Sequence, residues 1–526
     1  MNPHRKLGQR LLVCAVALLL GLNRPASNAQ INLPSLGDSV SQDLDLGAER
    51  RIGDQVMRQI RPDPDYLDDP LLLEYVQDIW QPLVGSAKQL GNIAAETQDR
   101  FAWEIFLVRD HSINAFALPG GFIGVHLGLI AMTASRDELA SVLAHELSHV
   151  TQRHIARRIA GDSRSSLLAT AAMLAGLLVA SRSGNIGMAN AAIVGSQAAT
   201  AQASLNFSRD MEREADRVGF NVLSQAGFAP SGMYSMFERM EQANHLMDSN
   251  NFPYLRSHPL TSERIGDART RLGTGEFIRP VSRAEHALMA ARSRVLMDPR
   301  AEAWAQLQSL DAGAREGSGK GFEQLSAHYA SALASIKMRD FSRAEDALRS
   351  TDLTLQLLGE DARSTRVLRF LRAELNQARG QAADGFAVLK PLAGERSRVL
   401  LLQQAQLAMI DSGLDASRSS VDALQTYVSV HPLDATAWAQ LAQLWERLDQ
   451  PLRAVRAQGE VRVAMGDLNG AIDRMRSGLR QSRGRDADQI EAAVIDSRLR
   501  SLIYERRQLM AELYPRGAPP GAELPN

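Results

Sequence analysis

The stretch SRDELASVLAHELSHVTQRH, residues 135–154, combines the start of a helix with closely spaced histidines in an apolar surrounding. Ser135 is a suitable N-cap, and Glu138 three residues later completes a capping box, so the sequence predicts a helix from Arg136 to about Ile159. Apolar residues flank the histidines on nearly every side, which predicts that this helix is buried. The first domain of the protein must therefore be built around it.

His145 and His149 match the pattern His-Glu-x-x-His. On an α-helix they lie about 40° apart and one turn above each other, so both imidazoles can reach one zinc ion. Glu146 stands beside them, where a general base for an activated water is expected. A hydrogen-bonded core network without a metal is the alternative. On a continuous helix His154 falls about 180° from His145, which predicts a surface position for it.

A catalytic zinc site needs a third protein ligand, and thiols are scarce here because the chain has a single cysteine, Cys14. The segment RDMEREADRVGFNVLSQAG, residues 209–227, predicts a helix rich in carboxylates. Glu212 and Asp216 share one face of it, whereas Glu214 lies about 200° from Glu212 and faces away. We predict that Glu212 binds the metal and that Asp216 orients a metal-binding histidine. An ordinary charged helix is the alternative.

Short β segments precede the histidine helix, and helices dominate elsewhere. FAWEIFLVRD (101–110) predicts a strand, and NAFALPGGFIGVHLGLI (114–130) predicts a strand, a Pro-Gly-Gly turn and a second strand. Beyond about residue 285, helix pairs with short turns follow one another, and WAQLAQLWERLDQPLRAV (438–455) fits a tetratricopeptide repeat of about 34 residues. A generic helical bundle is the alternative. The predicted fold class is mainly α with a small β-sheet: a metalloprotease domain followed by an α-helical tetratricopeptide-like repeat solenoid.

The N-terminus indicates export. Residues 1–29 combine a basic start, an apolar run of about a dozen residues and small residues before Gln30, as in a cleaved secretory signal peptide. An uncleaved membrane anchor is the alternative, but the run is shorter than the roughly 20 residues that a spanning helix needs. Cleavage would remove Cys14, so a metal site in the mature chain must use His, Asp and Glu. The predicted location is the periplasm.

The remaining chain divides by composition. We predict a zinc metalloprotease domain over residues 30–280, a helical repeat domain over 281–515 and a disordered tail over 516–526. The Ala- and Gly-rich segment 165–204 predicts a buried helix or lid, with peripheral membrane contact as the alternative. A net charge of -1 gives no electrostatic reason to expect nucleic acid as a partner.

The motifs NAFALPGG, HELSH, EREAD and SHPLTSER occur in this order and resemble the gluzincin zinc metallopeptidases of the HtpX and CAAX-prenyl-protease type. The resemblance implies a single Zn²⁺ ion bound by His145, His149 and Glu212, with Glu146 as general base. It also implies that Asp216 completes the second carboxylate motif.

The same resemblance gives a meaning to two further stretches. It implies that the backbone of a substrate adds as a strand beside Asn114, Ala115 and Phe116, with Gly121 bordering the cleft. It also implies that His258 of SHPLTSER is catalytic, either as a fourth zinc ligand that keeps the enzyme latent or as a stabiliser of the oxyanion. These two roles stay open, and an ordinary loop histidine is the simpler alternative.

An export signal followed by a helical-repeat half is similar to a periplasmic subgroup of this family. The subgroup implies a zinc-dependent endopeptidase with chaperone-like activity, acting on unfolded or misassembled outer-membrane β-barrel proteins. It implies the barrel-assembly machinery as the partner of the repeat domain. A periplasmic chaperone or scaffold that does not cleave, and a membrane-associated stress protease, are the alternatives.

Overall fold

A computed structural model of the protein describes residues 45–161, 208–246, 253–273, 284–315, 321–359, 361–482 and 489–513. The predicted signal peptide (1–29), the Ala- and Gly-rich segment (165–204) and the predicted tail (516–526) lie outside these residues.

The first part of the chain combines helices with a small sheet. In chain order its elements are α1 (Leu46–Ile60), β1 (Tyr66–Leu67), α2 (Pro70–Gln89), α3 (Ala95–Arg100), β2 (Glu104–Val108), β3 (Ala115–Leu118), β4 (Phe122–His126) and α4 (Leu127–Met132). The strands form one sheet in the order β1–β2–β4–β3, in which β2 runs parallel and β3 antiparallel to β4. Strand β3 therefore forms an edge of this sheet, next to the histidine helix.

The predicted strands were too long. The segment predicted as a second strand up to residue 130 is a strand only to His126 and continues as helix α4. An apolar run that is buried on all sides has no alternating pattern, so its sequence does not separate strand from helix. Gly128 permits this change of direction, because a Cβ atom there would lie only 2.1 Å from the backbone oxygen of His111.

The histidine helix, α5 (Arg136–Thr151), begins where the sequence predicted. The hydroxyl of Ser135 accepts a hydrogen bond from the backbone N–H of Glu138 at 3.2 Å. The helix ends eight residues earlier than predicted, because Arg153 adopts a left-handed backbone conformation with φ of 52°. A new helix, α6 (His154–Gly161), starts at once in a different direction. The prediction of one continuous helix to Ile159 was therefore wrong.

Among the residues that the structure describes, the next helices are α7 (Arg209–Gln225), α8 (Ser231–Leu246), α9 (Pro253–Ser257) and α10 (Ser262–Leu272). Helix α7 packs along α5. Gly219 allows this close approach, since a Cβ atom there would lie 3.1 Å from the backbone oxygen of Ala144. As a result, the carboxylates in the first turns of α7 face the histidines of α5.

The described residues after α10 form helices joined by short connections. Their elements are α11 (Ala284–Leu296), α12 (Ala301–Arg315), α13 (Phe322–Lys337), α14 (Phe341–Leu358), α15 (Ala362–Arg379), α16 (Ala382–Leu389), a 3-10 turn (Lys390–Leu392), α17 (Arg398–Ile410), α18 (Asp415–Val430), α19 (Ala435–Arg447), α20 (Pro451–Ala464), α21 (Leu468–Ser482) and α22 (Gln489–Leu513). Consecutive helices pack on each other, which confirms the predicted fold class. Their identity as tetratricopeptide repeats and the domain boundaries stay predictions. Among the helices described, none has the length and apolar content needed to span a bilayer.

A buried histidine joins the helical region to the first part of the chain. His286 of α11 accepts a hydrogen bond at Nδ1 from the hydroxyl of Tyr75, 2.6 Å away, and donates from Nε2 to the backbone oxygen of Thr133 at 2.9 Å. The neutral ring has one acceptor nitrogen and one donor nitrogen, and each of them makes a hydrogen bond. Burial, the largest effect, lowers the pKa of His286 from 6.5 to about 4.

This histidine makes the stability of the fold depend on pH. Since its pKa is lower in the folded than in the unfolded state, the unfolded state binds more protons between pH 6.5 and 4. Its contribution is therefore complete above pH 6.5 and is lost as the pH falls towards 4. Lowering the pH from about 7 to about 5 should reduce the free energy of unfolding of wild type. We expect this reduction to be about 2 kcal/mol smaller in His286→Gln, as measured by urea unfolding at both pH values. If wild type and His286→Gln lost the same unfolding free energy between these two pH values, His286 would not be the source of the pH dependence.

Candidate metal centre

Four buried side chains from separate elements meet behind the edge of the sheet: His145 and His149 of α5, Glu212 of α7, and His258 from the loop after α9. Each can offer one ligand atom, and these atoms all lie within 4.8 Å of one another. The structure therefore brings together the three residues predicted as metal ligands and the histidine whose role stayed open.

The distances within this cluster suit a tetrahedral ion. Nε2 of His145 lies 3.0 Å from Nε2 of His149 and 3.5 Å from Oε2 of Glu212, and Nε2 of His149 lies 3.5 Å from Oε1 of Glu212. Two ligand atoms at zinc distance in a tetrahedral site are about 3.4 Å apart. Burial alone would raise the pKa of Glu212, but the adjoining His258 and His145 hold it well below its usual range. These nitrogen and carboxylate donors fit a divalent metal ion.

Nδ1 of His258 closes the cluster on the fourth side. It lies 3.3 Å from Nε2 of His145 and 2.9 Å from Oε1 of Glu212. The backbone N–H of His258 donates to the oxygen of Tyr254 at 2.8 Å, and the Tyr254 ring stacks on the imidazole with centroids 4.6 Å apart. Pro259 follows, which favours an extended backbone at His258 and ends the short helix α9. The loop therefore holds the imidazole against the three other donors.

Glu146 lies next to the cluster without belonging to it. Its side chain is 0% exposed, and its carboxylate faces the hydroxyl of Tyr254 and the imidazole of His258. Nε2 of His258 lies 3.5 Å from Oε1. Burial, the largest effect, raises the pKa of Glu146. A buried carboxylate is costly unless polar groups satisfy its oxygens, so these oxygens are suited to bind a water molecule or a reacting group as well.

Two side chains support the ligands from behind. Asp216 Oδ1 lies 2.9 Å from Nδ1 of His145, within the distance that its predicted orienting role requires. Arg264 of α10 donates to both oxygens of Asp216 at 2.7 and 2.8 Å, and its Nη1 lies 2.9 Å from Oε2 of Glu212. The sequence prediction missed Arg264. Its only signal was its place in SHPLTSER, which says nothing about a contact with α7.

The prediction for His154 was wrong. This residue is 0% exposed rather than on the surface, and its Nδ1 lies 2.9 Å from Nδ1 of His149. The left-handed residue Arg153 breaks the helix, so the angular relation of a continuous helix does not apply beyond it. Burial, the largest effect, lowers the pKa of His154 to about 4. Glu214 faces away from the metal donors, as predicted, and contacts His154 at 3.1 Å.

The residues predicted to border a substrate lie on two sides of a turn. Ala115 and Phe116 belong to the edge strand β3 and Asn114 precedes it, whereas Gly121 lies in the turn between β3 and β4 with φ of 86°. The backbone N–H of Tyr254 lies 3.4 Å from the backbone oxygen of Ile113. Helix α9, which precedes His258, therefore contacts the segment just before the edge strand.

This arrangement agrees with a known family of enzymes. Residues 74–272 match the sequence model of Peptidase family M48. That range includes α5, α7 and the His258 loop, so this part of the chain is an M48 metallopeptidase domain. The enzyme class predicted from the sequence, a zinc metalloendopeptidase, is confirmed.

Relatives extend the similarity beyond this domain. The chain is 29% identical over 516 residues to the "Beta-barrel assembly-enhancing protease" of Escherichia coli, which covers 97% of this chain and 99% of the relative. It is equally identical to the protein of that name from Yersinia pestis over 464 residues, 86% of this chain and 90% of the relative. It is 32% identical to "Mitochondrial metalloendopeptidase OMA1" of Schizosaccharomyces pombe over 218 residues, 41% of this chain and 56% of that protein.

Proposed function

We propose that the protein is an exported zinc endopeptidase, with chaperone-like activity, for quality control and assembly of outer-membrane β-barrel proteins in the periplasm. The observation that carries the proposal is the four-donor cluster with the buried carboxylate of Glu146 beside it. Relatives named for β-barrel assembly match almost the whole chain, including the helical region, which supports the substrate class.

In this proposal His145, His149 and Glu212 hold the zinc ion, and the ion supplies Lewis-acid polarisation of the scissile carbonyl and an activated water. Glu146 takes the proton of that water and passes it to the leaving amine. Its burial and raised pKa favour this exchange, since a base with a pKa closer to the working pH both accepts and returns a proton readily. Asp216 holds His145 so that Nε2 points into the site.

We assign His258 to a latent state. Catalytic zinc sites keep one position open for water or substrate, whereas a site with four protein ligands is closed. Nδ1 of His258 stands at ligand distance from the other donors, so it supplies that fourth ligand. Opening of the loop would free the position for water or substrate.

In this proposal the helical region binds substrates or a partner complex. Two ion pairs attach it to the first part of the chain: Arg398 of α17 donates to both oxygens of Asp68, which precedes α2, and Arg292 of α11 pairs with Asp69. A cavity of about 970 Å³ lies between this first part and the helices, lined by residues such as Tyr66 and Leu433. Substrate chains, or the barrel-assembly machinery, would bind on this side, and an extended substrate would pair with β3 in the site.

The second candidate is a periplasmic chaperone or scaffold that binds zinc and does not cleave. The closed four-donor arrangement favours it, since a permanently closed site would be inactive. The two candidates differ in the expected effect of removing His258 from the site: an endopeptidase would begin to cleave, whereas a scaffold would stay inactive.

One experiment separates them. The mature wild type and His258→Ala are purified, their zinc content is measured, and cleavage of an unfolded outer-membrane β-barrel protein is followed with and without a chelator. We expect about one zinc ion per chain, complete loss of cleavage with chelator, and faster cleavage by His258→Ala than by wild type. If both zinc-loaded proteins leave the substrate intact, the scaffold is the better account.

A further inference from the structure

A second line of contacts lies behind His149, on the side away from the metal donors. Nδ1 of His149 is 2.9 Å from Nδ1 of His154, and Nε2 of His154 is 3.1 Å from Oε2 of Glu214. Nη1 of Arg157 donates to the same oxygen at 3.0 Å. The line therefore runs from a proposed ligand through a second histidine to a carboxylate and an arginine, which lie on α6 and α7.

The hydrogen bonds of this line have one consistent direction. A histidine that offers Nε2 to a metal ion carries its proton on Nδ1, so His149 must donate from Nδ1. The atom at hydrogen-bond distance is a ring nitrogen of His154, which can accept only with a lone pair at Nδ1. The proton of His154 is then on Nε2, where the carboxylate of Glu214 accepts it. With His154 in the other tautomer, two N–H groups would face each other.

We propose that His154 and Glu214 are positioning residues that hold the ring and the tautomer of His149 for the metal ion. His145 has the same support in a shorter form, because Asp216 contacts its Nδ1 directly and Arg264 holds Asp216. For His149, the imidazole of His154 lies between the His149 ring and the carboxylate of Glu214. This inference rests on the proposed metal site and adds two residues to which the sequence analysis gave no role there.

The backbone is arranged to place His154 there. Arg153, the residue before it, adopts the left-handed conformation, with φ of 52°, which is unfavourable for a residue with a Cβ atom. Nε of Arg153 donates to Oε2 of Glu49 at 3.1 Å, and the Glu49 side chain is buried. An interaction from α1 thus holds the turn that brings His154 back to the face of His149. The ring pair His149–His154 is edge-to-face, with centroids 4.9 Å apart.

The test uses the full mature chain and metal binding as the readout. Zinc affinity is measured by competition with a chromogenic chelator, and the visible absorption of the Co²⁺-loaded protein reports the ligand geometry. The variants are His154→Leu, which removes the acceptor, and His154→Asn, whose side-chain oxygen can accept from Nδ1 of His149. Glu214→Gln removes the charge at the end of the line. Asp210→Asn is the control, an exposed carboxylate on the same helix as Glu214.

We expect His154→Leu to weaken zinc binding about 10- to 100-fold and to shift the Co²⁺ bands, because the His149 ring loses its acceptor. His154→Asn should restore most of the affinity, Glu214→Gln should give an intermediate loss, and Asp210→Asn should match wild type. Thermal unfolding of the metal-free proteins identifies a variant that fails to fold.

The outcomes separate this inference from the proposed function. If wild type binds zinc and His154→Leu binds it equally well, the positioning role is refuted and the metal site stands. Equal losses in folded His154→Leu and His154→Asn would mean that packing matters and the accepted hydrogen bond does not, which also overturns the inference. A wild type that binds no metal would refute the metal site, and this inference with it.

Discussion

Glu146→Gln is expected to lower the rate of peptide cleavage about 10²- to 10⁴-fold while zinc content and stability remain at wild-type level. The two side chains have the same shape, but the amide cannot take a proton from the attacking water. Besides this role, Glu146 contacts Nε2 of His258 at 3.5 Å and the hydroxyl of Tyr254. An amide of the same shape can occupy the same place, so the replacement chiefly removes the proton acceptor.

The comparison is best made in a His258→Ala background, so that latency does not mask the effect, with single-turnover cleavage of an unfolded β-barrel protein. Glu138→Gln is a matched control on the same buried helix. Glu138 pairs with Arg239 and accepts from the backbone of Ala134, far from the donors, so its loss should affect stability and leave the rate per zinc-loaded chain nearly unchanged. A Glu146→Gln protein that keeps more than about a tenth of the rate would exclude Glu146 as the base.

Arg292→Met is expected to lower the free energy of unfolding by about 3–5 kcal/mol. Arg292 is buried, binds both oxygens of Asp69 at 2.7 Å and contacts Glu374 at 2.8 Å. The Tyr329 hydroxyl lies 3.2 Å from its Nη1. Removal of the guanidinium leaves the buried carboxylate of Asp69, and the partly buried one of Glu374, without their counter-charge. That loss exceeds what the apolar methionine contributes.

Urea unfolding measures this loss, and two further proteins define its cause. Arg300→Met removes an exposed arginine that pairs with Asp298, and it should leave the unfolding midpoint unchanged because exposed pairs contribute little. Adding Asp69→Asn and Glu374→Gln to Arg292→Met should recover much of the stability, since neutral amides tolerate the buried position better. A loss in Arg292→Met no larger than in Arg300→Met would show that the buried charges are not coupled.

Helical geometry predicted the relative positions of residues correctly when all of them lie on one uninterrupted helix. Ser135 caps the histidine helix, and His145 and His149 share a face because they lie on one uninterrupted helix, as do Glu212 and Asp216. Helical geometry relates residues up to a break and not beyond it. For that reason the same reasoning misplaced His154, which follows the break at Arg153.

The break itself depends on distant parts of the chain. Arg153 is held in its turn by Glu49, 104 residues earlier, and Glu49 in turn accepts a backbone hydrogen bond from Gly120. No local pattern around residue 153 encodes these contacts.

The sequence by itself determined the mainly helical fold, the His-Glu-x-x-His pair and the carboxylate helix, because each follows from spacing within a single helix. Tertiary structure alone decided which of these groups meet. Packing of α7 on α5 brings Glu212 to the histidines, and the loop after α9 adds His258 on the fourth side. The turn at Arg153 returns His154 to His149. The reason is physical: a metal site depends on distances of a few ångströms between elements, and those distances are set by long-range packing, which helical periodicity does not contain.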